Sequence, residues 1–131
     1  MTADVETEHG VYEVDLETEE VTGLAPGSLE PGTAVDTPLP RVVDAAAGGA
    51  TVVAVVDRRP PLVVSYDAGR TWRETGGGLP SGRAVAVSLE NPDVVLYASR
   101  NRLFLSEDGG RFWRALAPEL PEIRAVRLTE I

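Results

Sequence analysis

The chain has 131 residues, 43% of them hydrophobic, which suits one domain. It has no cysteine, which excludes disulfides and thiolate chemistry. It shows neither a secretion signal nor an apolar run long enough to span a membrane. We therefore expect a soluble, cytoplasmic protein without membrane contact. All 12 basic residues are arginine and the net charge is -9, which disfavours a general nucleic-acid binder.

The acid-rich, lysine-free composition has two explanations. It resembles that of proteins from salt-loving organisms, whose surface carboxylates hold water and cations. It is equally typical of an ordinary acidic surface encoded by a GC-rich genome. Composition alone leaves both explanations open.

The N-terminal residues 2–24 are interpreted as three short strands. They align without a gap on a later part of the chain, with Val11–Val14 under Leu103–Ser106 and Val21–Pro26 under Trp113–Pro118. This alignment indicates strands two to four of a degenerate four-stranded unit whose first strand is missing at the front. Residues 25–40, rich in proline and glycine, are predicted to form an exposed loop.

Two complete units follow, at residues 41–80 and 81–121. Each unit is bounded by a Leu-Pro pair, and the pairs at 39–40, 79–80 and 120–121 are spaced 40 and 41 residues apart. Strand signals fall at 42–46, 51–56, 62–65 and 71–75 in the first unit, and at 84–89, 93–99, 102–106 and 112–116 in the second. Four short antiparallel strands in each repeat of this length are typical of a β-propeller blade.

The last residues, 122–131, supply a spare first strand. The predicted fold class is therefore all-β, with three four-stranded antiparallel blades permuted by one strand. Three blades cannot close a ring, and an open array leaves two apolar faces and unpaired edges in water. We therefore expect a two-fold dimer with six blades, in which 122–131 is the first strand of a blade shared with the second copy. The rival explanations are a different chain that completes the propeller, or a fragment.

One octapeptide pattern occurs in both complete units. Residues 65–72 and 106–113 both read S-x-D-x-G-x-x-W, and they contain the only two tryptophans of the chain. These stretches resemble Asp-box (BNR) repeats, which occur in the propellers of sialidases, sortilin-type receptors and photosystem assembly factors. The resemblance covers units 41–80 and 81–121, and the N-terminal unit matches in outline only. Members of this family have many different functions, so the resemblance implies the fold rather than an activity.

The expected role of these boxes is structural. We expect the carboxylates to accept turn amides, the serine hydroxyls to tie the strand to the turn, the glycines to take positive φ and the tryptophans to cover the hairpin. One carboxylate per turn is too few for calcium, so we predict no metal and no cofactor. Phe112 replaces the usual small polar residue of the second box. The residues concerned are Ser65, Asp67, Gly69, Thr71, Trp72, Ser106, Asp108, Gly110 and Trp113.

Catalytic residues are hard to assign. The single histidine, His9, is expected to be an exposed bystander. Sialidases as a family use an arginine cluster with a Tyr/Glu nucleophile, but none of Tyr12, Tyr66 and Tyr97 can be matched to that pair. We therefore predict a non-catalytic binding or assembly module. The alternative is a sialidase-like glycoside hydrolase or its non-catalytic remnant.

Arginine placement gives the candidate binding site. Seven of the 12 arginines fall at strand starts or strand two–three loops, which share one face of a propeller: Arg41, Arg83, Arg124, Arg58, Arg59, Arg100 and Arg102. Guanidinium groups suit carboxylates and phosphates, so we predict an anionic small molecule or protein partner at this face. Alternatively, each arginine pairs with an acidic residue of the next blade or simply lies exposed at a strand end.

Overall fold

The computed structural model describes residues 1–32 and 34–130, and its regular structure consists of twelve β-strands. No helix long and apolar enough to cross a membrane occurs in these two ranges. The strands in chain order are β1 Thr2–Thr7, β2 Gly10–Asp15, β3 Glu20–Ala25, β4 Val42–Gly48, β5 Thr51–Val56, β6 Leu62–Ser65, β7 Arg73–Thr75, β8 Gly82–Val87, β9 Val95–Ser99, β10 Arg102–Ser106, β11 Arg114–Glu119 and β12 Ile123–Thr129.

The strands form three four-stranded antiparallel sheets, which confirms the predicted fold class and its permutation by one strand. The first blade has the order β12-β1-β2-β3, the second β4-β5-β6-β7 and the third β8-β9-β10-β11. Short apolar strands separated by turns of Gly, Pro, Asn and Asp favour this meander, because each strand pairs with its sequence neighbour.

The first blade joins the beginning and the end of the described chain. β12 pairs antiparallel with β1, from Thr2 opposite Thr129 to Thr7 opposite Ile123. This differs from the blade shared between two copies that the sequence led us to expect, because the same chain supplies both edges. The start of β12 is fixed on the third blade, since Ile123 N donates to Arg100 O at 2.7 Å. The β1–β2 turn also bonds the segment before β12, with Glu8 N donating to Glu122 O at 3.0 Å. Position 131 of the predicted strand 122–131 lies outside the described residues.

The third blade lies between the other two and shares a separate core with each. Side chains of the first and third blades form one core, which includes Val5, Val14, Leu96, Leu103 and Ile123. Side chains of the second and third blades form the other, which includes Val53, Val55, Leu62, Val87 and Tyr97. Burying apolar area against both neighbours fixes the third blade as the centre of the array.

The outer face of the first blade is polar. Along β1 the buried residues Ala3, Val5 and Thr7 alternate with the half-buried Thr2, Asp4 and Glu6. Neighbouring strands place Glu13 and Arg127 opposite Asp4, one on each side. This face carries charge, in contrast to the apolar face that we expected.

The outer face of the second blade is apolar and nevertheless buried. Val52, Ala54, Val56 and Val63 alternate with the residues that pack on the third blade, yet each is at most 9% exposed. In the connection from β3 to β4, half-buried residues alternate with exposed ones in the order Val35, Asp36, Thr37, Pro38, Leu39, Pro40. Alternate burial is typical of an extended segment lying on a surface. The predicted loop 25–40 includes position 33, which lies outside the described residues.

Candidate functional site

The predicted arginines lie at one end of the molecule. Here the starts of β4, β8 and β12 meet the β1–β2, β5–β6 and β9–β10 turns, as expected for antiparallel meanders. Asp57 N donates to Arg41 O at 3.0 Å, which places the β5–β6 turn beside the start of β4. We call this the arginine end, and we call the opposite end, which carries turns 65–72 and 106–113, the repeat-turn end.

Three of the seven arginines have partners within the chain. Arg83 pairs with Glu122 at 3.2 Å, so it links the third blade to the segment before β12. Arg58 lies 3.9 Å from Glu74, and Arg102 Nε donates to Leu116 O at 3.1 Å. Arg83 shows the alternative that we had left open, pairing with an acidic residue near the next blade, whereas Arg58 and Arg102 have their partners within their own blades.

The other four arginines are exposed and form no ion pair with any residue that the structure describes: Arg41, Arg59, Arg100 and Arg124. Arg100 and Arg124 belong to adjacent blades, and Ile123 N, next to Arg124, donates to Arg100 O. Two free guanidinium groups on neighbouring backbone segments are suited to hold one carboxylate or two adjacent ones.

A central cleft of about 920 Å³ lies between β4, β8, β12 and residues 29–32, 34 and 35. Arg41, Arg83 and Arg124 are not among its lining residues, whereas Arg127 and Asp44 are. Neither residue was predicted from the sequence. Arg124 is the extra residue of a β-bulge in β12, so strand alternation counted from Arg124 gives no signal for Arg127.

The first repeat turn, residues 65–72, is closed by side chains. The Ser65 hydroxyl donates to Asp67 Oδ1 at 2.7 Å and accepts from Gly69 N at 2.8 Å. Asp67 in turn accepts from Thr71 N at 2.8 Å and from the Thr71 hydroxyl at 2.6 Å. Gly69 has φ 89°, and its carbonyl accepts from Trp72 Nε1 at 3.1 Å.

The second repeat turn, residues 106–113, reproduces most of these contacts. The Ser106 hydroxyl donates to Asp108 at 2.8 Å and accepts from Gly110 N at 2.8 Å, and Trp113 Nε1 donates to Gly110 O at 2.9 Å. Phe112 contributes only its backbone N–H to Asp108, at 3.0 Å. Its ring is 80% exposed, whereas Thr71 at the same position bonds its aspartate twice.

Hydrogen bonds stabilise the charged form of both turn aspartates and so lower their pKa values. The hydroxyl and amide of Thr71, with the Ser65 hydroxyl, hold the pKa of Asp67 well below its usual range. The amide of Phe112, with the Ser106 hydroxyl, also lowers the pKa of Asp108. Both groups are therefore carboxylates at neutral pH, and their acceptor capacity is used inside the turns.

The two repeat turns also touch each other. The Tyr66 hydroxyl donates to Gly109 O at 2.7 Å, and the Arg111 guanidinium lies 4.6 Å from the centre of the Tyr66 ring. The Thr75 hydroxyl donates to Gly110 O. These contacts join the second blade to the third at the repeat-turn end.

The tyrosines that we considered as nucleophiles are engaged in structural contacts. The Tyr97 hydroxyl donates to Pro80 O at 2.5 Å, and burial raises the pKa of Tyr97 to about 12. Tyr66 donates to the neighbouring turn, and Tyr12 packs on the core between the first and third blades. His9 is exposed and lies 3.7 Å from Glu8.

Comparison with known proteins identifies the fold through structure alone. No protein-family model and no curated protein matches the sequence. Among solved structures, the chain is similar to YCF48 bound to D1 peptide, with a TM-score of 0.52, 22% identity and 93% of this chain covered. The chain spans 42% of the length of that YCF48 chain.

A second solved structure is the GH74 enzyme of Niastella koreensis, with a TM-score of 0.47 and 18% identity. The alignment covers 87% of this chain and 17% of that enzyme chain. Together with the three observed sheets, the YCF48 likeness shows that this chain has β-propeller blades.

Proposed function

We propose that this chain is a non-catalytic binding module of the Asp-box propeller type, and that its arginine end binds a carboxylate-bearing segment of a partner protein. The Asp-box assignment is supported by the side-chain network that both S-x-D-x-G-x-x-W turns share. In this proposal the boxes stabilise the blades and the arginines bind the partner.

The observation that carries the proposal is the distribution of charge pairs. The chain has 21 acidic residues against 12 arginines, so internal partners are abundant. Arg41, Arg59, Arg100 and Arg124 nevertheless form no ion pair among the described residues, and they lie at one end of the molecule on three different blades. Arg70 and Arg73 also form none there, but both belong to the second blade. Exposed guanidinium groups that lie together attract an anionic group locally, on a protein whose net charge of -9 otherwise repels anions.

A peptide partner is favoured over a small anion. The similar chain YCF48 is described as bound to D1 peptide. For the present chain, the free arginines are spread over three blades, a span that suits an extended segment with several carboxylates better than one small ion.

The test uses a hexaglutamate peptide as a probe and isothermal titration calorimetry at low salt. We expect the unmodified chain to bind hexaglutamate, and the double variant Arg100→Ala/Arg124→Ala to bind it about tenfold more weakly. This factor follows because each exposed ion pair contributes up to about 1 kcal/mol. A hexaglutamine peptide should show no binding.

The matched control is Arg70→Ala/Arg73→Ala, which removes the same charge from exposed positions in and just after the first repeat turn. It should leave hexaglutamate binding unchanged. Equal weakening by both double variants would show general charge attraction and would contradict a site at the arginine end, as would the absence of any hexaglutamate binding.

A further inference from the structure

The central cleft has the dimensions of a small-molecule site. Its volume of about 920 Å³ lies within the range of ligand pockets, about 300–1,000 Å³. Alanine and valine side chains of β4 and β8 form much of its wall, among them Ala45, Ala47, Val85 and Val87. Such a wall favours a ligand with an apolar body, because its burial removes apolar surface from water.

The charged groups in the wall are mostly acidic. Glu30, Asp44 and Glu130 line the cleft, with Arg127 as the single cation of the lining. The Arg127 guanidinium donates to the carbonyl of Glu30, and Arg127 lies opposite Asp4 in the β1–β12 register. The cleft therefore contains more negative than positive charge, and its cation already donates to a backbone carbonyl.

Asp44 is the carboxylate best placed to meet a ligand. It lies on β4, in the wall of the cleft, and is half-buried. Asp44 Oδ2 accepts from Val85 N at 3.0 Å, which ties the second blade to the third. No arginine in the described residues forms an ion pair with it.

This environment leaves the negative charge of Asp44 poorly compensated. Desolvation by burial raises the pKa of Asp44, although the Val85 and Ala45 amides act in the opposite direction. A charged group that loses water is stabilised by an opposite charge nearby. A ligand with a positive charge would therefore relieve a cost that the folded chain already bears.

We propose that the central cleft binds a small organic cation, an apolar body with one ammonium group, whose ammonium pairs with Asp44. The apolar body lies against the alanine and valine wall of β4 and β8. The inference is independent of the arginine end, because Arg41, Arg83 and Arg124 do not line this cleft.

The test compares three probes of the same shape: 4-phenylbutylamine, 4-phenylbutanol and 4-phenylbutyrate. In amide NMR spectra of the labelled chain, the amine should shift the signals of Ala45, Ala47 and Val85 and should bind most tightly. The alcohol should bind about tenfold more weakly and the butyrate more weakly still, because they lack the ammonium or carry the wrong charge.

The variant Asp44→Asn removes the negative charge of this side chain but keeps its hydrogen bond to the backbone. Its side-chain oxygen still accepts from Val85 N, so the fold should be kept, while amine binding should weaken about tenfold to the level of the alcohol. The matched control Asp36→Asn changes an exposed aspartate of the β3–β4 connection and should leave amine binding unaltered.

Three results would overturn the proposal. The amine could shift no signal of the cleft at millimolar concentration, the three probes could bind equally, or Asp44→Asn could bind the amine as well as the unmodified chain. An unchanged spectrum of Asp44→Asn without ligand shows that a loss of amine binding does not come from unfolding.

Discussion

At the scale of single residues, the two repeat turns form an internal comparison. Both use a serine hydroxyl and a carboxylate to close the turn, and both place glycine at positive φ, 89° at Gly69 and 92° at Gly110. They differ at Thr71 and Phe112. Thr71 adds a hydroxyl bond to Asp67, whereas Phe112 exposes an aromatic ring and adds none.

We expect Phe112→Thr to stabilise the chain by up to about 1 kcal/mol, because threonine can supply Asp108 with the bond that Thr71 gives Asp67. Thermal unfolding followed by circular dichroism measures the change. The reciprocal variant Thr71→Phe should lower the Tm. An unchanged or lower Tm for Phe112→Thr would show that the hydroxyl bond adds nothing to this turn.

The turn aspartates also predict an acid-sensitive stability. The pKa values of Asp67 and Asp108 are lower in the folded chain than in the unfolded chain, so their contribution is present above about pH 4 and is lost as the pH falls further. Urea unfolding at a series of pH values should show this loss. In Asp67→Asn/Asp108→Asn the fall below about pH 4 should be smaller, and an identical pH profile would contradict this origin.

Asp44 contributes a pH dependence of stability with the opposite sign. Its pKa is raised in the folded chain, so its contribution to stability is present at low pH and is lost as the pH rises through the folded pKa. The pH dependence from Asp44 therefore partly offsets the loss of stability that the turn aspartates cause at low pH. In the Asp44→Asn variant, only the turn aspartates' share of these two contributions remains.

At the scale of elements, the blades pack closely where β4 ends beside β8. A side-chain carbon added at Gly48 would lie 2.6 Å from Ser88 O and 2.9 Å from a Val87 methyl group. Because the first contact is with backbone, the strands would have to move apart. Glycine at this position therefore permits the approach of the second and third blades.

We expect Gly48→Ala to lower the free energy of unfolding by about 1–3 kcal/mol, the usual cost of overpacking. Gly77→Ala is the matched control, since an added carbon there meets nothing within 4 Å. Urea unfolding of both variants measures the difference. Equal stability of the two variants would show that β4 and β8 are not packed as closely as the structure has them.

Repeat spacing predicts several strands at their observed bounds and misplaces others for local reasons. The strands at 51–56, 62–65 and 102–106 agree with the prediction. β7 begins at Arg73 rather than at residue 71, because the Thr71 amide bonds Asp67 instead of a neighbouring strand. Strand propensity does not reveal such competition between a side chain and the sheet.

The candidate sites show where sequence reasoning stops. Strand order places all seven predicted arginines at one end, but pairing depends on residues far apart in the chain, as with Arg83 and Glu122. The central cleft could not be predicted, because its wall combines β4, β8 and β12 with residues 29–32, 34 and 35 of the connection. Tertiary contacts alone bring these segments together.

At the scale of the whole molecule, the two outer faces of the three-blade array differ from the apolar, exposed faces that we expected. The outer face of the first blade is polar, and that of the second is buried although no sheet covers it. The sequence predicts the strand 122–131 but not its partner, since a spare strand can pair with its own chain or with another. In the structure the partner is β1 of the same chain.

The central claim is that the chain completes its own first blade, and an engineered disulfide tests it most directly. Thr2 and Thr129 are opposite each other on β1 and β12, and the chain has no other cysteine, so Thr2→Cys/Thr129→Cys can form only this bridge. After oxidation at micromolar concentration, we expect a single-chain product on a non-reducing gel and a monomer mass in native mass spectrometry. A disulfide-linked dimer would contradict the account and show strand exchange between two copies.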